Sequence, residues 1–184
     1  MGKYRKILSG MLAVVLISLC LLTSFSEACA KTSKAEKKAM KVAKTIVKEE
    51  FSQKKTKRQK LWAAYQYVVY NTKYNANTPA AKGSKDWEAK CAYATLTTGL
   101  GECYGFAAAF VYLAKAIGYE DAHVCYGSTM SASYPWAPHG WAEIKMKDGT
   151  YLFDPEIEYK NKTCGKLYRK KYEEVARKYR KEMK

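Results

Sequence analysis

Histidine is nearly missing from this chain: its 184 residues hold two, His123 and His139. Any chemistry that needs an imidazole must use one of them. Cysteine is scarce and scattered. Beyond Cys20 and Cys29 there are only Cys91, Cys103, Cys125 and Cys164, and no two of these lie within the few-residue spacing of a structural zinc knuckle. A zinc-finger module is therefore excluded, and a looser zinc site built from these cysteines and His123 is left as a weak rival. Internal repeats and low-complexity tracts are missing as well. Acidic residues are outnumbered, 17 against 33 Lys and Arg, for a formal net charge of +16. The long apolar run, Ile7 to Leu22, falls short of the roughly 20 residues needed to span a bilayer.

That run has a different reading. Lys3, Arg5 and Lys6 precede it, and Ala28-Cys29-Ala30 follows with small residues where a signal peptidase reads. Residues 1–30 are expected to be a secretory signal peptide, which places the mature protein outside the cytoplasm. Neither Leu19 before Cys20 nor Glu27-Ala28 before Cys29 offers the small-residue context of lipidation. Residues 31–184 are long enough for one core and one domain. Charge is uneven along them: residues 31–60 carry twelve basic and three acidic side chains, 61–158 seven and ten, and 159–184 eleven and three. A near-neutral core is thus expected between a basic N-terminal helix (31–60) and a basic C-terminal helix (159–184).

The core is organised around Gly101-Glu102-Cys103-Tyr104-Gly105-Phe106. From Cys103 onward the apolar residues Phe106, Ala107, Phe110, Val111, Leu113, Ala114 and Ile117 recur at helical steps, with Gly118 as C-terminal cap. Cys103 then sits in or just before a first helical turn, where unpaired N–H groups and the helix dipole favour thiolate over thiol. Downstream, His139 opens His139-Gly140-Trp141-Ala142-Glu143-Ile144-Lys145-Met146, an alternating strand. Asp148-Gly149 reads as a hairpin turn, and the returning strand Thr150-Tyr151-Leu152-Phe153 ends at Asp154-Pro155. Cysteine, histidine and aspartate in these settings make a nucleophile, base and orienter.

Register complicates that set. A turn at Asp148-Gly149 pairs Lys147 with Thr150 and puts Asp154 opposite Glu143, leaving His139 four residues away, roughly 13 Å at strand rise. A bulge, a longer turn, or Glu143 or another acceptor in place of Asp154 would each resolve this.

The segments GLGECYGFAAAFVYLAKAIGYE, HGWAEI and YLFDPE, in this order and spacing, resemble the transglutaminase-like superfamily of papain-type thiol enzymes, in particular small secreted bacterial members. The resemblance runs from about Trp62 to Glu158. It implies an α+β fold, with the nucleophile at a helix N-terminus packed on a small antiparallel sheet and basic amphipathic helices at the flanks. It also implies Cys103 as nucleophile, His139 as general base and acid, and Asp154 as the orienting carboxylate. Tyr104 departs from the Gln or Arg that many relatives carry there. The oxyanion would be held by the Cys103 N–H and one upstream donor, with Trp62, Gln66, Trp87 and Tyr93 as candidates.

Around this core, residues 35–51 read as an amphipathic helix, Leu61 to Asn71 as a second helix and Trp87 to Leu96 as a third. Residues 74–85 and 127–138 read as loops bordering a cleft, with Tyr104, Tyr134, Trp136 and Trp141 as cleft candidates. His123 is expected to be structural. The tail from Lys166 is helical in pattern through Leu167, Tyr168, Tyr172, Val175, Ala176 and Tyr179. With Cys103 kept as a free thiol, one bridge can form among the remaining cysteines, and Cys91 with Cys164 is the pair expected. The expected activity is thioester-mediated acyl transfer on peptide or amide bonds, giving hydrolysis, deamidation or cross-linking, by a monomer without cofactor or metal. The partners expected are a peptide or protein substrate and, through the basic helices, an anionic envelope polymer or membrane surface; secretion argues against nucleic acid. An inactive binding module on the same fold, or a structural protein with every cysteine bridged, are the competing classes.

Overall fold

The first helix of the protein, α1 (Lys34–Glu50), starts where Ser33 accepts the Glu36 N–H at 3.1 Å. Its apolar stripe buries Ala39, Ala43 and Ile46, and its other side exposes Lys34, Lys37, Lys38, Lys41, Lys44 and Lys48. The computed structural model describes residues 32–77 and 83–182, so the signal-peptide segment 1–30 and part of the expected loop at 74–85 lie outside the described residues. From Ser33 onward the chain forms one compact unit.

A capping box between Thr56 and Gln59 opens α2 (Lys57–Asn71) four residues ahead of its apolar stripe. A two-residue strand β1 (Lys73–Tyr74) follows, then α3 (Trp87–Thr98), which Gly99 ends at φ 69°. Strand β2 (Leu100–Gly101) pairs in parallel with β1 and leads into α4 (Cys103–Ile117). Every residue of α4 from Phe106 to Ala114 is at most 1 % exposed, so this helix is apolar all round and stands at the centre. Phe106, Phe110 and Leu113 each contribute about 1.5–3 kcal/mol by burial. Gly118 caps the helix at φ 102°.

Four antiparallel strands follow in the order β5-β4-β3-β6: β3 (Ala122–Ser131), β4 (Tyr134–Met146), β5 (Gly149–Phe153) and β6 (Lys178–Lys181). One face of the sheet, with Ala122, Val124, Ala142, Ile144 and Phe153, joins the helical core. The other carries Cys125, Trp141 and Leu152 and is covered by Ile157 of α5 (Pro155–Lys160) and by Leu167, Tyr172, Val175 and Tyr179 of the tail. The α+β architecture, with the cysteine at a helix N-terminus beside a small antiparallel sheet, agrees with the reading from sequence.

Three expectations are corrected. Residues 127–138 are not a loop, because β3 runs to Ser131 and β4 starts at Tyr134. The tail is not a helix. Gly165 (φ 109°) and Arg169 (φ 51°) break it, Lys170 exchanges backbone hydrogen bonds with Leu152, and β6 pairs with the edge of β3. The apolar outer face of the sheet needs a cover, and that need overrides the tail's helical periodicity. The C-terminal basic segment is therefore not a basic helix. Finally, Cys103, Cys125 and Cys164 carry free thiols, so the Cys91–Cys164 bridge does not form and the fully bridged structural protein is ruled out.

Candidate active site

Cys103 is the first residue of α4, and no side chain caps the turn it opens. The corner is clamped from two sides. Lys73 N–H donates to Gly99 O at 2.8 Å and Asn75 N–H to Gly101 O at 2.9 Å, which seats Tyr74 across from Gly101. On the other side α3 approaches so closely that a Cβ on Gly105 would lie 2.5 Å from Thr95 Oγ1. Strand β4 comes equally near: a Cβ on Gly140 would lie 2.4 Å from the Tyr104 ring, so the residue after His139 must be glycine for the corner to rest on the strand.

His139 lies on β4 and is 4 % exposed, with its ring stacked 6.1 Å from that of Trp141. Its Nε2 meets Asp154 Oδ2 at 2.7 Å. The register makes this possible. Met146 pairs with Gly149, so the hairpin turn is Lys147-Asp148, one residue earlier than the sequence suggests, and Ala142 pairs with Phe153. Asp154 then stands beside Trp141, two residues from His139 on the same face, within reach of a diagonal side-chain pair. The roughly 13 Å gap expected from the alternative register is thereby closed, and Asp154 rather than Glu143 holds the ring.

Asp154 is fully buried and also caps α5, with Oδ1 accepting the Ile157 N–H at 3.1 Å and Oδ2 accepting the Tyr179 hydroxyl at 2.8 Å. Burial works against its charge, but His139 and these donors outweigh that and hold the carboxyl below its usual range. Burial likewise opposes a charged His139. Asp154 and the neighbouring Cys103 thiol outweigh it and lift the ring to about 10. With Nε2 engaged by Asp154, Nδ1 is the nitrogen left for the thiol.

A second buried carboxylate borders the ring: Glu156 Oε2 is 4.0 Å from His139 Nδ1, has no hydrogen-bond partner, and belongs to a fully buried side chain. Lys160 Nζ stands 2.7 Å from Oε1 and 4.6 Å from the Tyr74 ring centre. Burial raises the Glu156 carboxyl, with Lys160 opposing. A cavity of about 430 Å³ opens here, lined by Pro135, Pro138, His139, Glu156, Lys160 and Arg177 among others. Donor atoms of His139, Asp154 and Glu156 lie within 4.8 Å of one another, but Nε2 and Oδ2 already bind each other.

The other candidates separate clearly. Trp87 packs edge-on against Tyr104, 5.8 Å away, and borders the corner. Trp62 stacks on Tyr65 and meets Tyr168 edge-on, and Tyr93 is on the outside beneath Lys38, so neither is at the corner. Gln66 is half-buried on α2. Trp141 is fully buried behind His139 and is no cleft residue; Tyr104 is buried against Gly140; Trp136 is 37 % exposed under Arg180. Tyr134 opens β4, and its side chain is outside the described residues. Sequence reasoning missed Tyr74, Glu156, Lys160 and Tyr179. Tyr74 lay in an apparent loop and Tyr179 in an apparent helix. Glu156, two residues past the aspartate, could have been suspected from the buried turn that Asp154-Pro155 predicts.

A family model described as the transglutaminase-like superfamily matches residues 33–155. Among solved structures, a candidate cysteine protease from Cytophaga hutchinsonii is similar with a TM-score of 0.47 at 19 % identity, over 64 % of this chain and 37 % of that one. A TGase is similar with a TM-score of 0.46 at 19 % identity, over 76 % of this chain and 37 % of that one. The chain thus spans little more than a third of each. No curated protein matches it.

Proposed function

The chain belongs to the transglutaminase-like superfamily, and from that premise we propose that it is a secreted, cysteine-dependent acyl-transfer enzyme acting on peptide or amide bonds. The observation that carries this reading is the 2.7 Å contact between His139 Nε2 and Asp154 Oδ2, beside a cysteine on the first turn of a buried helix. Cys103 Sγ attacks the carbonyl carbon while His139 holds the thiol proton. The C–N bond then breaks, the proton passes to the leaving nitrogen, and a thioester remains. Water resolves the thioester in hydrolysis or deamidation, and a primary amine resolves it in cross-linking. Asp154 fixes the tautomer and the charge of the ring. The developing oxyanion is met by the Cys103 N–H and a hydroxyl or indole at the corner. Tyr74 and Trp87 suit this role, since Cys103 bears electrostatically on the Tyr74 hydroxyl and Trp87 packs on Tyr104.

Two further parts of the reading rest on sequence and surface charge. The basic, then apolar, then small-residue pattern of residues 1–30 supports secretion. The six exposed lysines of α1 support attraction to an anionic envelope polymer or lipid surface.

Iodoacetamide at graded pH tests the thiol. Cys91 and Cys125 are buried and burial pushes the Cys164 thiol up, so Cys103 alone reacts fast at neutrality. Incubation with a glutamine-containing peptide and an amine probe then separates amine incorporation, ammonia release and chain cleavage. Loss of all three in Cys103→Ala is the expected result. A Cys103→Ala protein that keeps its measurable activity would establish the binding-module reading instead.

A further inference from the structure

On the outer face of the sheet, away from the thiol, three side chains of different chemistry converge. His123 and Glu143 are cross-strand partners on β3 and β4, with Nε2 3.2 Å from Oε2. Cys125 follows His123 by two residues, so strand alternation puts its thiol on the same face. One donor atom from each lies within 4.8 Å of the other two. We propose that His123, Cys125 and Glu143 are three ligands of a zinc-type divalent cation, with the fourth position open to solvent or an exogenous ligand.

Geometry supports this assignment. Metal–ligand bonds of 2.0–2.1 Å to nitrogen and oxygen put two corners of a tetrahedron about 3.3 Å apart, close to the observed separation of Nε2 and Oε2. A sulfur, nitrogen and oxygen set suits zinc and its first-row neighbours, and does not suit calcium or magnesium. The surrounding contacts orient the ligands. The Tyr172 hydroxyl donates to Glu143 Oε1 and itself receives the Trp141 indole N–H at 2.7 Å. The His123 ring is also within hydrogen-bonding reach of the Asp121 backbone. The fourth position has room: a cavity of about 170 Å³ is lined by His123, Cys125, Tyr126 and Lys181.

Lys181 is the competitor. Its ammonium stands 2.6 Å from Glu143 Oε1 and supplies the positive charge that a cation would bring. The lysine side chain is 49 % exposed, on the edge strand β6, and can turn out to water. Binding replaces the thiol S–H bond with a metal–sulfur bond and releases that proton to solvent, with no change of oxidation state.

The test uses the full chain with Cys103→Ser and Cys164→Ser, which removes the two half-buried thiols outside the cluster and makes the result independent of the proposed enzyme activity. Titration with Co²⁺ should give one equivalent and a thiolate-to-cobalt absorption band, and Zn²⁺ should displace the cobalt. Cys125→Ser should abolish the band, and His123→Ala, at a half-exposed position, should weaken binding at least about tenfold. Lys181→Met should strengthen it. No cobalt band, a band that survives Cys125→Ser, affinity indifferent to His123→Ala, or affinity unchanged or lowered by Lys181→Met would each overturn the assignment. Should Cys125→Ser fail to fold, the His123 and Lys181 variants decide.

Discussion

Tyr179 donates its hydroxyl to Asp154 Oδ2 at 2.8 Å, the same oxygen that His139 Nε2 meets at 2.7 Å. An element at the far end of the chain thus helps to hold a buried charge. Tyr179→Phe keeps the ring packed on Trp141, 5.0 Å away, and removes one donor. Urea unfolding should show a loss of about 2 kcal/mol, the usual worth of a hydrogen bond to a charged group. An unchanged midpoint would mean that Asp154 does not depend on the tail.

The pair should also set the pH response. His139 is raised to about 10 in the folded state from about 6.5 unfolded, so its contribution is fully present below pH 6.5 and is lost as pH rises through about 10. Asp154 is lowered, so its contribution is present above about pH 3.8 and is lost as pH falls through the folded value. Stability from this pair should therefore peak between about pH 4 and 6.5 and decline toward pH 10, and urea midpoints for the native protein and His139→Gln should converge along that decline. In Asp154→Asn the imidazolium loses its partner. Iodoacetamide labelling of Cys103 at pH 6 should then slow by about tenfold or more, and the difference should fade above about pH 9.

Glu156 should act in the same direction, more weakly. Glu156→Gln keeps the shape and removes a negative charge 4.0 Å from Nδ1, while half-exposed Lys160 can turn to water. Stability should hold or rise, because the amide removes a buried charge with an unpartnered oxygen. The pH profile of Cys103 labelling should move as in Asp154→Asn, but by less. A profile that overlays the native one would remove Glu156 from the machinery.

A Cβ at Gly127 would sit 2.0 Å from Arg180 O, so Gly127→Ala should expel β6. Hydrogen exchange should then accelerate at Glu182, whose N–H donates to Tyr126 O at 3.0 Å. Release of Tyr179 from Asp154 should make this variant at least as unstable as Tyr179→Phe. Normal protection at Glu182 would show that the strand accommodates the methyl group.

The corner at Cys103 was legible because helical periodicity starts there and glycine precedes it, and α1 and α4 were legible from their apolar patterns. The hairpin was legible as a hairpin, but not its register. Asp148-Gly149 looks like a two-residue turn, and only the pairing of Met146 with Gly149 shows that the glycine belongs to the strand. That one-residue difference in the turn shifts the pairing by two and decides whether His139 can touch Asp154. The tail misled for a different reason. Leu167, Tyr172, Val175 and Tyr179 fit helical spacing, yet their partners are Cys125, Trp141 and Leu152, and nothing local in the sequence records that face. Tyr74 reaches the site through the β1–β2 pairing, a contact between segments far apart in the chain, whereas Glu156 follows Asp154 by two residues on the helix that Asp154 caps.

His139 and Asp154 are separated by 15 positions and belong to a single ribbon with a two-residue bend. Closing so short a loop costs little entropy, so the ring and its carboxylate can find one another before the rest of the chain is in place. Only the approach of the sulfur is non-local, and that one alignment rests on Gly140, where the ribbon is bare enough to let the helix lie against it.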